Sequence, residues 1–203
     1  MERQSPDVSV IGQLLRELGL SASLLSPLIS HASAVAHHAD RLGLVTERSV
    51  EAVIARHTAD SLLFALARAP EQGERWVDVG SGAGFPGLVL ACCYAQAGFT
   101  LVEPQTRRAG FLEAECARLG LDNVDVVIAR AADLAPEFDV ATARALADPA
   151  IALETLHRLA DRVLVAVGGR VPTPAGVDDI DVRRANVDSP GRIFMIAPRR
   201  GGA

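Results

Sequence analysis

Apolar positions near the start of the chain recur at Val8, Ile11, Leu14, Leu15 and Leu18, the spacing of one helical face, and Gly19 then supplies a stop. The next apolar run, SASLLSPLISHASAVAHHADRLG, contains Pro27, which removes a backbone donor and predicts two helical pieces. A third helix is predicted over about residues 48–68, closed by Pro70. Beyond Pro70 the period changes. RWVDVG, FTLVEP, VDVVIA, FDVATARA and DRVLVAVGG read as strands. FPGLVLACCYAQA, QTRRAGFLEAECARLG (ending at Gly120) and DPAIALETLHRLA read as helices between them. Such alternation predicts crossover units, a parallel sheet and helices on both faces. Two last strand-like runs, DIDVRRA and GRIFMIA, flank the turn residues Asp188, Ser189, Pro190 and Gly191 and predict a terminal antiparallel hairpin. The expected architecture is an N-terminal helical cap (residues 1–70) leading into a doubly wound α/β domain (residues 71–203).

Composition narrows this picture. Apolar residues make up 49% of the chain, enough for a real core, but aromatics are only 4%, so Ala, Leu, Val and Ile must fill it. No apolar stretch reaches the ~18 residues of a membrane span, and MERQSPDVSV lacks the order of a secretory leader. The chain therefore reads as soluble and cytoplasmic, with no membrane and no metal partner. Cys92, Cys93 and Cys116 form no C-x-x-C pair and read as core thiols in a reducing compartment. Every basic residue is arginine; without lysine, Schiff-base chemistry and a P-loop are excluded. A formal net charge of −5 argues against coating nucleic acid by bulk charge but leaves room for a local basic patch.

The stretch VDVGSGAGFPGLVL packs Gly80, Gly82, Gly84 and Gly87 between two apolar runs, at the end of the first predicted strand. Ligands of doubly wound sheets bind at such strand ends. Without a lysine the loop is no P-loop. Gly82, Gly84 and Gly87 match the dinucleotide pattern G-x-G-x-x-G, with Glu103 ending the next strand, but Gly80 is then unexplained and Phe85 and Pro86 delay the helix. An S-adenosylmethionine site is the third reading: an acid, one residue, then G-x-G-x-G, met by Asp78, Gly80, Gly82 and Gly84. Asp78 offers charge complementary to an ammonium and a sulfonium. The glycines admit close backbone approach, and Glu103 can accept both ribose hydroxyls. IARAAD, at the end of the third strand, falls near the expected adenine position.

DVGSGAGFPG, with Phe and Pro directly after the third glycine, resembles the small-subunit ribosomal RNA guanine nitrogen-7 methyltransferases, the glucose-inhibited division protein B family. RHTADSL resembles that family's H-x-x-D-S-L helix, LVEPQTRRAGFL its second strand and following helix, and FDVATARALA its fourth strand with an A-R-A triplet. The similarity spans roughly residues 40–170. It implies a class I S-adenosylmethionine-dependent methyltransferase of Rossmann-like fold, acting on the ribosomal RNA of the 30S subunit. By this resemblance Gly80 and Phe85 match loop contacts to the cofactor, Ala131 and Ala132 a third-strand contact, and Arg144 a cofactor or substrate contact. Ala132, followed by Asp133, stands where the family often carries a glutamate. Other departures lie toward the substrate: Gly43, Leu44 and Val45 replace an N-L-T triplet, and Gly168 and Gly169 replace a lysine-glycine pair.

Individual residues admit two readings each. His57 and Asp60 share a helical face with Val53 and Phe64, as a hydrogen-bonded clamp for the cap or as substrate contacts. Arg144 is either paired with Asp78 or Asp139 or engaged at the ligand edge. Phe85 either faces the sulfonium or holds the loop from the core. The arginine pairs at 107–108, 183–184 and 199–200 are solvated surface or, together, an RNA border. His31, His37, His38 and His157 receive no role. No base-and-nucleophile pair stands out, and nitrogen 7 of guanine, with a free lone pair and no proton, needs none. The alternatives are a methyltransferase for a small molecule and a non-catalytic cofactor-binding protein.

Overall fold

The computed structural model describes residues 6–144, 149–168, 170–184, 187, 189 and 191–196. Residues 145–147 of the ARALA stretch, Gly169, the turn residues Asp188 and Pro190, and the pair at 199–200 lie outside the described residues.

Helix α1 covers Pro6–Glu17, a 3-10 turn covers Ala22–Leu24, and α2 runs unbroken over Leu25–Leu42. The break expected at Pro27 does not occur. Pro27 is the third residue of α2, where backbone N–H groups have no intrahelical acceptor, so its missing donor costs nothing there. Gly43 ends α2 with φ 60°. The third predicted helix is continuous but not uniform. It comprises α3 (Val50–Val53), a π-turn (Ile54–Thr58) and α4 (Ala59–Ala67), and the Ser49 side chain caps its start by accepting from Ala52 N at 3.1 Å. Such widened turns often mark functional positions, and this one carries His57.

Strands β1 (Arg75–Val79), β2 (Gly98–Val102), β3 (Val124–Val127), β4 (Phe138–Arg144), β5 (Ala160–Val167), β6 (Asp178–Asp181) and β7 (Arg192–Ile196) form one sheet in the order β3-β2-β1-β4-β5-β7-β6. The first five in that order are parallel, and β7 runs antiparallel to both β5 and β6, which is the expected terminal hairpin. The connections are α5 (Gly87–Cys93), α6 (Thr106–Leu119), a 3-10 turn (Ala131–Asp133) and α7 (Pro149–His157). Strand order reverses between β1 and β4, so the open crevice lies beyond the carboxyl ends of those strands.

Helix α5 is shorter than its apolar run predicts. The chain leaves the helix at Tyr94, and the Asn123 side-chain amide donates to the carbonyls of Ala91, Tyr94 and Ala97 at 3.2, 3.3 and 3.0 Å. A distant side chain thus satisfies the carbonyls that further helix would have used.

One apolar cluster joins Ile11, Leu14 and Leu15 of α1, Leu28 and Val35 of α2, and Leu62 and Phe64 of α4 to Leu88 of α5 and Leu101 of β2. The other sheet face packs Leu153 and Leu156 of α7 on Val77, Val163 and Val165. A polar clamp reinforces the first cluster. Fully buried His31 bonds through Nδ1 to Glu115 Oε2 at 3.0 Å, and Arg118 holds the same carboxylate at 2.9 and 2.7 Å. Burial pushes the Glu115 carboxyl up, but the bonds from Arg118 and His31 prevail and hold it at about 2. His31, without a role in the sequence reading, is therefore part of the α2–α6 attachment.

Two glycine substitutions separate packing from propensity. A Cβ at Gly87 would lie 2.4 Å from Leu101 and 2.7 Å from Asp78, whereas at exposed Gly110, within α6, it would meet nothing within 4 Å. Gly87→Ala is expected to lose about 1–3 kcal/mol and Gly110→Ala to gain about 0.5–1 kcal/mol, both read from urea unfolding.

Candidate functional site

The glycine loop leaves β1 with Gly80, Gly82 and Gly84 at φ 74°, 57° and 95°. All three lie in the left-handed region, where a side chain would strain the backbone. Gly80 N and Ser81 N donate to Val102 O at 2.9 and 3.1 Å, which pins the loop to the end of β2. Gly80 is exposed, and a Cβ there would meet nothing within 4 Å, so open backbone faces the crevice. Gly84 is buried instead, against Leu88 and the His31 ring.

Asp78 lies beneath this loop, only 1% exposed. Its Oδ2 accepts from Gly87 N at 3.0 Å and its Oδ1 from Thr142 Oγ1 at 3.2 Å, across the β1–β4 pairing. The carboxylate therefore organises the loop, the start of α5 and the neighbouring strand together. Burial pushes its pKa up to about 6, against the lowering effect of the Gly87 and Thr142 bonds. Glu103, just past β2 and 3% exposed, accepts from Gly82 N at 3.0 Å and Gln105 N at 2.9 Å. Each carboxylate oxygen keeps a further lone pair. Ala131 and Ala132 sit in the 3-10 turn after β3, and Arg158 Nη2 donates to Ala131 O at 3.0 Å. Ile128, just beyond β3, is 52% exposed.

Arg144, the last residue of β4, gathers the second half of the site. Its Nη1 donates to Asp60 Oδ2 at 3.1 Å and its Nη2 to His57 Nδ1 at 2.5 Å. The partner is thus Asp60 rather than Asp78 or Asp139; Asp139 instead accepts from Arg75 N at 2.8 Å. On its other side His57 Nε2 lies 2.7 Å from Glu47 Oε2, while Arg56 Nη1 donates to Glu47 Oε1 at 2.9 Å. Asp60 Oδ1 also accepts from Ser189 Oγ, which draws in the turn before β7. The Phe85 ring stacks on His57 (centroids 5.2 Å, 24° between planes) and lies 5.5 Å from the Arg144 guanidinium. Phe85 is 5% exposed, and its cationic neighbour in this structure is Arg144.

The charge pattern follows from these contacts. Burial and the Arg144 charge hold the His57 pKa below its ordinary value. Burial pushes Glu47 up, but hydrogen bonds from His57 and Arg56 hold it at about 2. A cavity of about 290 Å³ opens against this network, between His57, Asp60, Arg144, Gly168, Ser189 and Arg192. The structure thus brings His57, Asp60 and Arg144 together at the cavity with Phe85 packed against His57 and Arg144, and gathers Asp78, Gly80, Gly82 and Glu103 at the glycine loop. Sequence reasoning passed over Glu47, Ser189, Arg192 and Ile128. Glu47 stands ten positions before its partner His57 in a segment without periodicity, and Ile128 reads as one more apolar residue of the third strand, its exposure being set by the tertiary structure.

The arginine pairs at 107–108 and 183–184 are engaged within the chain. Arg107 and Arg108 donate to the carbonyls of Arg41, Leu42 and Gly43 at the end of α2. Arg183 pairs with Asp181, and Arg184 with Glu17.

This architecture recurs in solved structures. A protein assigned as an S-adenosyl-L-methionine-dependent methyltransferase from Methanococcus maripaludis aligns over 85% of this chain and 94% of its own, with a TM-score of 0.54 at 12% identity. The fold is the class I, Rossmann-like fold of S-adenosylmethionine-dependent methyltransferases. The family model of GidB, rRNA small subunit methyltransferase G, matches residues 25–170, and the chain belongs to this family. The ribosomal RNA small subunit methyltransferase G of Clavibacter sepedonicus is 42% identical over 57% of this chain and 54% of its own length. That of Methylobacillus flagellatus is 32% identical over 78% of both chains. The chain spans about half the length of several of the curated relatives it matches.

The buried loop anchor has a stability signature. Because the folded pKa of Asp78 lies near 6, above its ordinary 3.8, its contribution is full below 3.8 and is lost as pH rises through about 6. Asp78→Asn removes that titration. Urea unfolding at pH 7 and pH 4 is expected to show the wild type gaining up to about 3 kcal/mol relative to the variant at the lower pH.

Proposed function

We propose that the chain is an S-adenosylmethionine-dependent methyltransferase that modifies nitrogen 7 of a guanine in small-subunit ribosomal RNA. The observation that carries this reading is the adjacency of two places. Open glycine backbone with a buried carboxylate lies at the ends of β1 and β2, and a cavity that carries His57, Asp60 and Arg144 on its wall lies at the ends of β4 and β5. Phe85 belongs to the first and stacks on His57 and Arg144 of the second.

The residues at the loop fit the cofactor. Gly80 leaves room for close approach, Glu103 retains lone pairs for a ribose diol, and Ile128 offers an apolar surface beside Ala131 and Ala132 for a purine. When bound, S-adenosylmethionine supplies an electrophilic methyl group on a sulfonium sulfur. Asp78, ionised above about pH 6, adds negative charge beneath the loop that favours a cationic ligand.

Nitrogen 7 of guanine attacks through its own lone pair, so the chain has no proton to remove. This suits a His57 whose Nδ1 already accepts from Arg144. The work left to the cavity walls is alignment of nitrogen, methyl and sulfur, and such positioning can supply ~7–11 kcal/mol of a barrier. His57 and Asp60 then act at the acceptor side, and Arg144 stands between acceptor and cofactor. The assembled 30S subunit is the partner this reading implies, and the cytoplasm its compartment.

Labelled methyl transfer to 30S subunits from a strain lacking the gene tests the assignment. Label recovered as 7-methylguanosine is expected, and label confined to small-molecule pools overturns the RNA assignment in favour of a small-molecule acceptor. Calorimetry tests the pocket separately. Glu103→Ala is expected to weaken cofactor binding about tenfold or more, from the loss of charge-assisted hydrogen bonds. Absence of wild-type binding at millimolar cofactor removes the reading altogether.

A further inference from the structure

We propose that Glu47 is a positioning residue of this site, acting through His57 to hold Arg144 at the cavity wall. The proposal rests on the methyltransferase reading and deepens it. The donors and acceptors of the three side chains leave one arrangement. A guanidinium has donors only. With Arg144 Nη2 at 2.5 Å, His57 Nδ1 must present its lone pair, so the ring proton sits on Nε2. That proton points at Glu47 Oε2, 2.7 Å away and able only to accept. The three side chains therefore form a directional relay with one arrangement of protons: Nε2–H to Glu47, and Arg144 N–H to Nδ1. A second proton on the ring would place two donors face to face and break the Arg144 contact.

The surroundings leave this relay few alternatives. The Glu47 side chain is 8% exposed and His57 15%. Charged groups around the ring are Glu47, Arg56, Asp60 and Arg144, two of each sign. Phe85 covers one ring face. Arg144 spends Nη1 on Asp60 and on the Arg56 carbonyl at 3.4 Å, so the His57 contact at Nη2 fixes the plane of the guanidinium rather than its mere presence. Without Glu47, the Nε2–H loses the one side-chain acceptor that the structure gives it and is left to the solvent of the cavity, which does not fix the ring. The ring can then turn, and the guanidinium loses its bond at Nη2 while those at Nη1 remain.

The test compares Glu47→Gln, whose side-chain carbonyl can accept the same Nε2–H, with Glu47→Leu, which cannot. Ring nitrogen NMR shifts of His57 are read in each, with kcat and KM on 30S subunits and the thermal midpoint. Expected are a fixed Nε2–H ring in the wild type and in Glu47→Gln, and shifts displaced toward a mixed ring in Glu47→Leu. Alongside this, kcat should fall at least tenfold in Glu47→Leu, recover to within threefold in Glu47→Gln, and leave the cofactor KM within twofold throughout. A Glu47→Leu ring identical to wild type overturns the proposal, as does a Glu47→Gln loss of kcat as large as that of Glu47→Leu. If the wild type transfers no methyl group, the catalytic reading fails, and the ring shifts still decide the relay on their own.

Discussion

Arg144 carries a permanent charge at the end of a buried strand, and a charge there must be matched. Asp60 and His57 match it from the π-turn and α4, Phe85 covers it from the glycine loop, and Ser189 reaches the same Asp60 from the turn before β7. Two segments far apart in sequence, the third helix and the glycine loop, are thereby held to one guanidinium, and the residue before β7 joins them through Asp60. The side chains of Arg144 and Asp60 are 18% and 13% exposed, so the pair is screened far less than a surface pair, which is typically worth ~0–1 kcal/mol. The helical cap is in this sense the inner wall of the cavity, because it supplies two of the groups that the strand end requires.

The same logic of matched burial recurs at two other places and divides the labour of the fold. Asp78 stays under the glycine loop and orders backbone, through Gly87 and Thr142. Glu115 orders side chains, tying His31 of α2 to Arg118 of α6. His31 in turn lies against Gly84 and the Phe85 ring, with centroids 5.3 Å apart. Phe85 thus sits between two histidines, each fixed by a glutamate. This links the packing of the cap to the shape of the loop, and among the described residues Arg118, Arg144, Arg183 and Arg184 each pair with a carboxylate of the chain.

The loop, the strands and the hairpin were legible because their signals are local. Positive φ at Gly80, Gly82 and Gly84 demands glycine whatever the surroundings, and alternation of strand and helix implies a parallel sheet. The misjudged features depend on position within an element or on a distant partner. Pro27 reads as a breaker until its place in the first turn is known. The apolar run after Pro86 reads as a long helix until Asn123 is seen to take its last carbonyls. Of the two readings open for Arg144, the pairing with Asp78 or Asp139 gives way to partners from the third helix, more than eighty positions away.

By itself, the sequence determined the fold class, the place of the glycine loop and the family, since each rests on residue types whose backbone or charge admits few conformations. Only the tertiary structure decided the arrangement of the acceptor side. Hydrogen bonds have direction, and which nitrogen of His57 carries a proton follows from Glu47 on one side and Arg144 on the other. That pairing joins residues 47, 57 and 144, which no periodicity connects, because it is the packing of α3, the π-turn and α4 over the sheet edge that sets them within bonding distance.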